Sequence, residues 1–296
     1  MNPSPVAALP VGALSESAPA KLNLYLHVVG RRADGYHELD SLVAFTETAD
    51  RLRAEPAAGL SLAVDGLFAA GLKGEHDNIV LKAARALASQ ASVSAGAYLT
   101  LVKNLPVASG IGGGSADAAA ALRLLRRLWR LDIGDAALHE IAAGLGADVP
   151  VCLRGATSFM GGIGEALAPA PALPPVGIVL VNPRVPLITA RVFQARGGRF
   201  SEPARFDETP GDAPALAALL ARRGNDLEAP AATLVPAVTS VLDALRASPG
   251  CLLARLSGSG ATAFGLYASE TAAAAAASWI GARESHWWVV PTRLRG

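Results

Sequence analysis

One glycine-rich segment, residues 106–116, limits the folds open to this chain more than any other feature of the sequence. Four of the five residues at 110–114 are glycine. The segment follows an alternating apolar stretch at 98–103 and precedes an alanine- and leucine-rich stretch at 115–129. Glycine lets backbone N–H groups turn into one concavity, and a helix starting there adds unpaired donors and the positive end of its dipole. The pattern predicts a phosphate-binding loop between a strand and a helix.

The loop differs from the most familiar phosphate-binding motif. No Gly-Lys-Ser/Thr sequence follows it, which excludes a Walker A loop. We expect its backbone to contact nucleotide phosphates along the whole segment: Pro106, Val107, Ala108, Ser109, Gly110, Ile111, Gly112, Gly113, Gly114, Ser115 and Ala116. A flexible turn with Ser115 as an ordinary helix N-cap is the alternative that loop composition alone leaves open.

Two charged residues in apolar surroundings are candidates for chemistry. Residues 21–28 alternate polar and apolar side chains, so a strand there places Lys21 and Asn23 on one side, about 7 Å apart. Asp148 lies among apolar neighbours at 144–150. An inward-facing lysine is rare unless it is paired, so an ion pair between Asp148 and Lys21 would account for both. A purely structural cap for Asp148 stays open at this point.

The remaining sequence alternates short strands with helical stretches, which predicts an α+β fold. A proline-rich stretch at 169–175 indicates a domain boundary. We therefore expect a loose N-terminal extension at 1–17, a domain at 18–168 and a second domain at 175–296. A second glycine loop at 257–261 is most simply a tight hairpin. Further strands are expected at 39–48, 176–181, 252–256, 263–267 and 287–290, and helices at 79–88, 135–144, 213–222, 231–246 and 270–280.

The composition excludes several classes of protein. Hydrophobic residues make up 51% of the chain and charged residues 17%, which argues against disorder. The net charge of +1 gives no reason to expect a nucleic-acid partner or a membrane surface. Cys152 and Cys251 lack metal-binding spacing, so we expect two reduced, buried thiols in a cytoplasmic protein. Five prolines interrupt the apolar run at 166–183, and no basic residue precedes residue 18 as an export signal requires.

The other charged residues carry weaker indications. None of the five histidines has the spacing of a metal-ligand pair, so no protein metal ligand is identified. Asp117 falls in the first turn of the predicted helix, where a carboxylate complements the helix dipole. A carboxylate repels phosphate, so we expect no phosphate contact by Asp117 although it lies close to the predicted phosphate site. Asp40, Glu47 and the Arg31-Arg32 pair are expected to be solvated surface charges.

Taken together, the motifs resemble those of the GHMP kinases, small-molecule kinases named for galactose, homoserine, mevalonate and phosphomevalonate. The matching segments are PAKLNL at 19–24, RADGYH at 32–37, DNI at 77–79, the glycine loop at 106–116, LGADVP at 145–150 and the second glycine motif at 256–263. The ADGYH and LGADVP elements resemble in particular the kinases that act on a cytidyl substrate of the non-mevalonate isoprenoid pathway. The resemblance extends from about residue 18 to the C-terminus.

This resemblance implies a two-domain GHMP kinase fold. The N-terminal domain would be like the second domain of ribosomal protein S5, and the C-terminal domain would be ferredoxin-like. ATP and substrate would meet between them, and the γ-phosphoryl group would pass to the tertiary hydroxyl on C2 of a methylerythritol unit. Asp148 would take the hydroxyl proton, while Lys21 would orient Asp148 and keep it ionised. We expect a monomer or a weak homodimer.

The resemblance also assigns residues to the small-molecule cytidyl substrate. Tyr36 and Phe193 would sandwich the cytosine, and His37 would read the edge of the base. Asn23 and Thr189 would help to hold the rest of the substrate. Stacking of a base on an aromatic ring contributes roughly 1–3 kcal/mol per face elsewhere, so two rings could set substrate choice without touching the reacting hydroxyl.

For the nucleotide, the resemblance places Asn78 near adenine and Lys103 near ATP, with Mg²⁺ as the second cofactor. Family members often have a second small hydroxyl residue after the loop serine, where this chain has Ala116. Ser115 is therefore the sole local side chain that could contact Mg²⁺ or phosphate.

Two other functions compete with this interpretation. A GHMP kinase for homoserine, mevalonate or a sugar is disfavoured by the ADGYH motif, because those substrates carry no base to stack. A non-catalytic nucleotide-binding regulator is disfavoured by Lys21 and Asp148, because a sensor needs no general base.

Overall fold

The structure is a computed structural model that describes residues 12–73 and 77–295. Its first part is a six-stranded sheet covered by helices. The strands are β1 (Leu14–Arg31), β2 (His37–Ala57), β3 (Leu60–Asp65), β4 (Gly96–Val102), β5 (Ser158–Gly162) and β6 (Ala166–Pro169), and the helices are α1 (Ile79–Gln90), α2 (Gly113–Leu128), α3 (Asp135–Leu145) and α4 (Val149–Arg154). The strand order is β3-β4-β2-β5-β6, with β1 paired to β2 along nearly its whole length; only the β3–β4 pair is parallel.

The second part is a four-stranded antiparallel sheet. Its strands are β7 (Gly177–Asn182), β8 (Leu253–Leu256), β9 (Ala263–Tyr267) and β10 (Trp288–Arg293), and its helices are α5 (Thr189–Ala195), α6 (Ala213–Ala221), α7 (Glu228–Leu234), α8 (Ala237–Ala247) and α9 (Glu270–Gly281). The strand order is β10-β7-β9-β8. This arrangement is ferredoxin-like, because the chain runs through a strand, helices, two paired strands, a helix and a last strand in that order.

The two sheets share a hydrophobic core. Leu22 and Leu24 of β1 are fully buried in the same cluster as Ile178 and Leu180 of β7. Burying a side chain of this kind contributes roughly 1.5–3 kcal/mol, so the sheets are held firmly against each other. On the first sheet, α2 presents the buried alanines of 118–121, whose small side chains let the helix lie close to β1.

The structure confirms the predicted α+β fold and corrects the start of the chain. Residues 14–17, expected in a loose extension, belong to β1. The reason is long-range: Leu14 pairs with Ala54 in β2, and the Glu16 carboxylate accepts a hydrogen bond from Arg123 at 3.0 Å. Neither partner is visible in the local sequence pattern. Residues 1–11 of the expected extension lie outside the described residues.

Asp40 is buried, which contradicts its assignment as a solvated surface charge. Its carboxylate accepts hydrogen bonds from the Tyr25 hydroxyl (2.9 Å), the Arg205 Nε (2.9 Å) and the Ala204 backbone N–H (2.8 Å). The antiparallel β1–β2 pairing brings Tyr25 beside Asp40, and burial together with the Asp40 charge raises the pKa of Tyr25 above its usual range. The network therefore ties β1 and β2 to the segment before α6. Glu47 is half exposed, as expected.

The two cysteines, both expected to be buried, differ in exposure. Cys152 is buried, as predicted, and burial raises the pKa of its thiol to about 12. Cys251 is partly exposed, which corrects the prediction for that residue, and both cysteines are free thiols. Within the described ranges, no helix combines the length and apolar character needed to cross a lipid bilayer.

We expect Asp40→Ala to lower the free energy of unfolding by about 3 kcal/mol, because three buried or partly buried donors lose their acceptor at once. Urea unfolding monitored by circular dichroism measures the change. Glu47→Ala is the matched control; its carboxylate is half exposed and 3.7 Å from Arg295, so the shift should stay within about 0.5 kcal/mol. If the two substitutions changed the free energy of unfolding by the same small amount, the Asp40 network would contribute nothing to stability.

Candidate active site

A cavity of about 1220 Å³ lies between the two sheets. Most residues selected from the sequence line it: Lys21, Asn23, Tyr36, His37, Asn78, Lys103, Asp148, Thr189, Phe193, and the glycine loop at 106–110 and 112–115. Two loop residues do not. Ile111 and Ala116 are buried on the far side of the loop, where the Ile111 carbonyl accepts from the Lys21 backbone N–H and the Ala116 N–H donates to the Gly112 carbonyl. Neither residue lines the cavity, and a phosphate contact by either of them stays a prediction.

Lys21 and Asp148 form the expected ion pair. The Lys21 Nζ lies 2.9 Å from Asp148 Oδ2 and 2.9 Å from Asn23 Oδ1. The Lys21 side chain is 3% exposed, whereas 35% of the Asp148 side chain is open to the cavity. Asp148 precedes α4, yet its carboxylate makes no capping hydrogen bond to that helix. The structural-cap alternative is thus excluded, and the carboxylate is both oriented by a buried cation and accessible to a ligand.

The glycine loop brings the start of α2 directly beside this pair. Gly112 has φ +63° and forms the N-cap of α2, which begins at Gly113, two residues earlier than expected. A Cβ at Gly112 would lie 3.1 Å from Lys21 Cε, so only glycine permits the approach without displacing the lysine. The N–H groups of the first helical turn have no partner within the helix and supply the donors of an anion cradle. Ser115 lies in that turn, so it is not the N-cap.

The second glycine loop supports the first. It joins β8 to β9, as a hairpin should, and it also packs on the loop at 106–116. The Ser257 hydroxyl donates to the Gly110 carbonyl at 3.1 Å and accepts from the Asn23 N–H at 3.2 Å. Asn225, which sequence reasoning missed, donates to the Gly258 carbonyl at 2.8 Å. No local pattern marks this role of Asn225, because the two carbonyls that accept from its Nδ2 lie 31 and 33 positions away.

Lys103 forms a buried charge cluster under the loop. Its ammonium contacts the carboxylates of Asp50 and Asp117, the latter at 2.7 Å. Asp117 is thus a buried ion-pair partner, which corrects its assignment to the helix dipole. Burial and the Asp50 charge raise the pKa of Asp117 to about 7, although Lys103 opposes the shift. Burial lowers the pKa of Lys103, but the two carboxylates raise it above its ordinary value.

The aromatic residues occupy one end of the cavity. The His37 ring stacks on Phe193 with centroids 5.1 Å apart and planes 23° apart. Tyr36 is 61% exposed in the preceding turn. Burial, with the charges of Arg31 and Arg196, lowers the pKa of His37, which favours the neutral imidazole. Phe193 lies on α5, a helix that sequence reasoning missed because its seven residues follow a proline-rich stretch.

The other selected residues have clear positions. Asn78 is buried beside the cavity, and its Oδ1 accepts from the Val80 N–H at 2.9 Å as the N-cap of α1. The Thr189 hydroxyl lies 2.8 Å from the hydroxyl of Ser259 in the second glycine loop. Among the residues that the structure describes, no cluster of three or more histidine, cysteine or carboxylate side chains could hold a metal ion.

Family models match both parts of this chain. The model described as GHMP kinases N terminal domain matches residues 78–156, and the model described as GHMP kinases C terminal matches residues 206–283. Together they cover more than half of the chain. A solved homoserine kinase from Cytophaga hutchinsonii has the same fold, with a TM-score of 0.74 at 15% identity over 98% of this chain and 97% of that one. The fold is that of a GHMP kinase.

The similarity is much higher to one branch of that class. The 4-diphosphocytidyl-2-C-methyl-D-erythritol kinase of Paramagnetospirillum magneticum is 55% identical over 95% of this chain and 98% of its own length. The kinase of the same name from Rhodospirillum rubrum is 54% identical over 95% of this chain and 92% of its own. A solved 4-(cytidine 5'-diphospho)-2C-methyl-D-erythritol kinase superposes with a TM-score of 0.76 at 34% identity, covering 96% of this chain and all of that one. The chain belongs to the family of 4-diphosphocytidyl-2-C-methyl-D-erythritol kinases.

The charge cluster predicts a pH-dependent stability. Because the pKa of Asp117 is raised in the folded state, its carboxylate binds a proton more tightly there than in the unfolded chain, and protonation stabilises the fold. This contribution is complete below pH 4 and is lost as the pH rises to about 7. We expect Asp117→Asn, which stays neutral, to gain stability relative to the unmodified chain between pH 5 and pH 8. Urea unfolding at the two pH values measures the difference.

Asp135→Asn is the control for this experiment, since Asp135 is 93% exposed and pairs only with Arg126 on the surface. Its effect on the free energy of unfolding should be the same at both pH values. A pH-independent effect of Asp117→Asn would contradict the raised pKa of Asp117.

Proposed function

We propose that this chain transfers the γ-phosphoryl group of ATP to the 2-hydroxyl of 4-diphosphocytidyl-2-C-methyl-D-erythritol in the non-mevalonate isoprenoid pathway. The observation that carries the proposal is the contact between Lys21 and Asp148 beside the glycine loop, in one cavity with the aromatic residues. Close relatives named for this activity cover nearly the whole chain. The ATP-dependent kinase chemistry and the small-molecule substrate are common to the class.

In the proposed reaction, the Asp148 carboxylate accepts the proton of the substrate hydroxyl. The hydroxyl oxygen forms a bond to the γ-phosphorus as the bond to the β-phosphate oxygen breaks, and ADP leaves. Lys21 orients Asp148 through their 2.9 Å contact, and its ammonium offsets charge on the transferring group. Phosphoryl transfer leaves a protein mainly positioning and charge stabilisation to provide, and these residues provide both.

The loop at 106–116 would hold the phosphates of ATP. The first-turn N–H groups of α2 and the left-handed backbone of Gly110 and Gly112 make a concavity lined by donors. Asn78 would contact the adenine side of the nucleotide. Lys103 would act through the loop: its ammonium is engaged by two carboxylates and lies 3.1 Å from the position of a Cβ on Gly113.

The residues present fit Mg²⁺ carried in with the nucleotide rather than a metal held by the protein alone. Mg²⁺ commonly keeps several waters and binds through substrate phosphates plus one or two protein oxygens. The Ser115 hydroxyl, which lines the cavity, is the local side-chain oxygen of that kind. When bound, Mg²⁺ would neutralise charge on the phosphates.

The other end of the cavity would receive the cytidyl group. Tyr36 and the stacked pair of Phe193 and His37 offer aromatic surface, and a neutral His37 can both donate and accept a hydrogen bond at the edge of a base. Asn23 and Thr189 would hold the part of the substrate that lies between the base and the reacting hydroxyl. We further propose a cytoplasmic enzyme that acts as a monomer or a weak homodimer.

Turnover assays with different acceptors test the proposal. Purified protein with Mg-ATP should form ADP rapidly with 4-diphosphocytidyl-2-C-methyl-D-erythritol and at background rates with homoserine or mevalonate. Preference for homoserine or mevalonate would establish a different GHMP kinase. Nucleotide binding without turnover of any acceptor would establish a regulator instead.

Asp148→Asn should lower kcat by roughly 10²–10⁴-fold, the usual contribution of a general base, while the affinity for ATP changes little. Steady-state kinetics and ATP titration measure the two quantities separately. Asp243→Asn is the control, because Asp243 is an exposed carboxylate of α8 that pairs with Arg246 far from the cavity. Retention of kcat in Asp148→Asn would remove this residue as the base.

A further inference from the structure

The end of α5 carries a buried cation that no sequence motif indicated. Arg196 is the C-cap of this helix, three residues after Phe193, and its backbone N–H donates to the Val192 carbonyl at 3.1 Å. Its side chain is 7% exposed and contributes to the cavity wall. A guanidinium buried to this extent needs specific partners.

Those partners connect α5 to β1. The Arg196 Nη2 donates to the Arg199 carbonyl at 2.7 Å and lies 3.6 Å from Asp226 Oδ2, and the guanidinium stands over the Phe200 ring. Asp226 in turn accepts from the Val28 N–H at 2.7 Å through the same Oδ2 atom. The ion pair therefore spans from the helix that bears Phe193 to the strand that bears Lys21.

We propose that Arg196 is a positioning residue for the cytidyl end of the cavity. Paired with Asp226, it fixes α5 against β1 and thereby keeps Phe193 stacked on His37 at the place where the base binds. This inference rests on the proposed function, because the ring pair needs fixed positions only if a base is to be recognised there.

The charge of Arg196 has a second effect at the same place. Burial lowers the pKa of His37, and Arg31 and Arg196 lower it further. Three acidic groups lie in this region: Asp34 pairs with Arg32, Asp226 pairs with Arg196, and the Glu38 carboxylate lies against Gly30 in β1. Loss of the Arg196 charge should therefore raise the pKa of His37 toward its ordinary value, while burial and Arg31 maintain part of the shift.

Two substitutions separate the geometry from the charge. Arg196→Met keeps an apolar stem and removes both the charge and the hydrogen bonds, so we expect KM for the cytidyl substrate to rise roughly tenfold. The values of kcat and of KM for ATP should change by less than about twofold. NMR titration of the His37 ring should give a higher midpoint in Arg196→Met than in the unmodified enzyme. Arg196→Lys keeps the charge, and its His37 midpoint should stay near the original.

Arg191→Met is the matched control, since Arg191 is an exposed residue of the same helix; it should leave both KM values and the His37 midpoint unchanged. An unchanged KM for the cytidyl substrate in Arg196→Met would overturn the inference. An unchanged His37 titration midpoint in Arg196→Met would also overturn it. Equal increases in KM for ATP and for the cytidyl substrate would overturn it as well, because they would indicate that the substitution loosens the whole protein. If the unmodified protein does not phosphorylate the cytidyl substrate, the proposed function itself fails, and that failure is visible before any variant is made.

Discussion

The approach of a lysine ammonium to the first turn of a helix is the interaction on which the rest of this structure depends. The Lys21 side chain runs so close to Gly112 that a Cβ there would stand 3.1 Å from it. The ammonium and the helix N-terminus are both positive, so placing them together is favourable only when anions lie between them. Asp148 supplies one anion at 2.9 Å, and a bound phosphate would supply another. The same arrangement thus favours phosphate binding and holds a carboxylate in a fixed position next to it.

The position of the glycine loop depends on a buried ion cluster that lies under it, formed by Lys103, Asp50 and Asp117. The three charges join β2, the residue after β4, and α2 below the glycine loop. Burying them is costly, and their mutual attraction offsets the cost only because each group has close partners. With two carboxylates and one ammonium, the cluster would carry a net negative charge if both acids were ionised. A pKa of about 7 for Asp117 means that this charge is partly neutralised near physiological pH.

The sequence was sufficient to predict the fold class and the glycine loop and to single out Lys21 and Asp148, because each is recorded in a local pattern. The pairing of Lys21 with Asp148 followed from chemistry instead, since an inward-facing lysine needs a partner of opposite charge. Alternation in a strand, glycine before a helix, and a charged residue among apolar neighbours can be seen within ten residues. Arg255 shows what cannot be seen this way. Its buried guanidinium donates to the carbonyls of Leu24 and Leu220, and the Leu24 bond spans 231 positions of sequence. The burial of Asp40 was missed for the same reason, since Ala204 and Arg205 lie 164 and 165 positions away. Asp117 pairs with Lys103 only 14 positions away, but no local pattern shows that the two side chains are buried together.

The hydrogen bonds between the two glycine loops have a consequence for how molecules enter and leave. Ser257 and Thr262 of the second part bind the backbone of Gly110 and Ser109 in the first. Hinge bending that drew the halves apart would have to break these bonds and expose their common core. We therefore expect ligands to enter at the exposed rim of the cavity, where Tyr36 lies in a solvent-facing turn, without separation of the two parts.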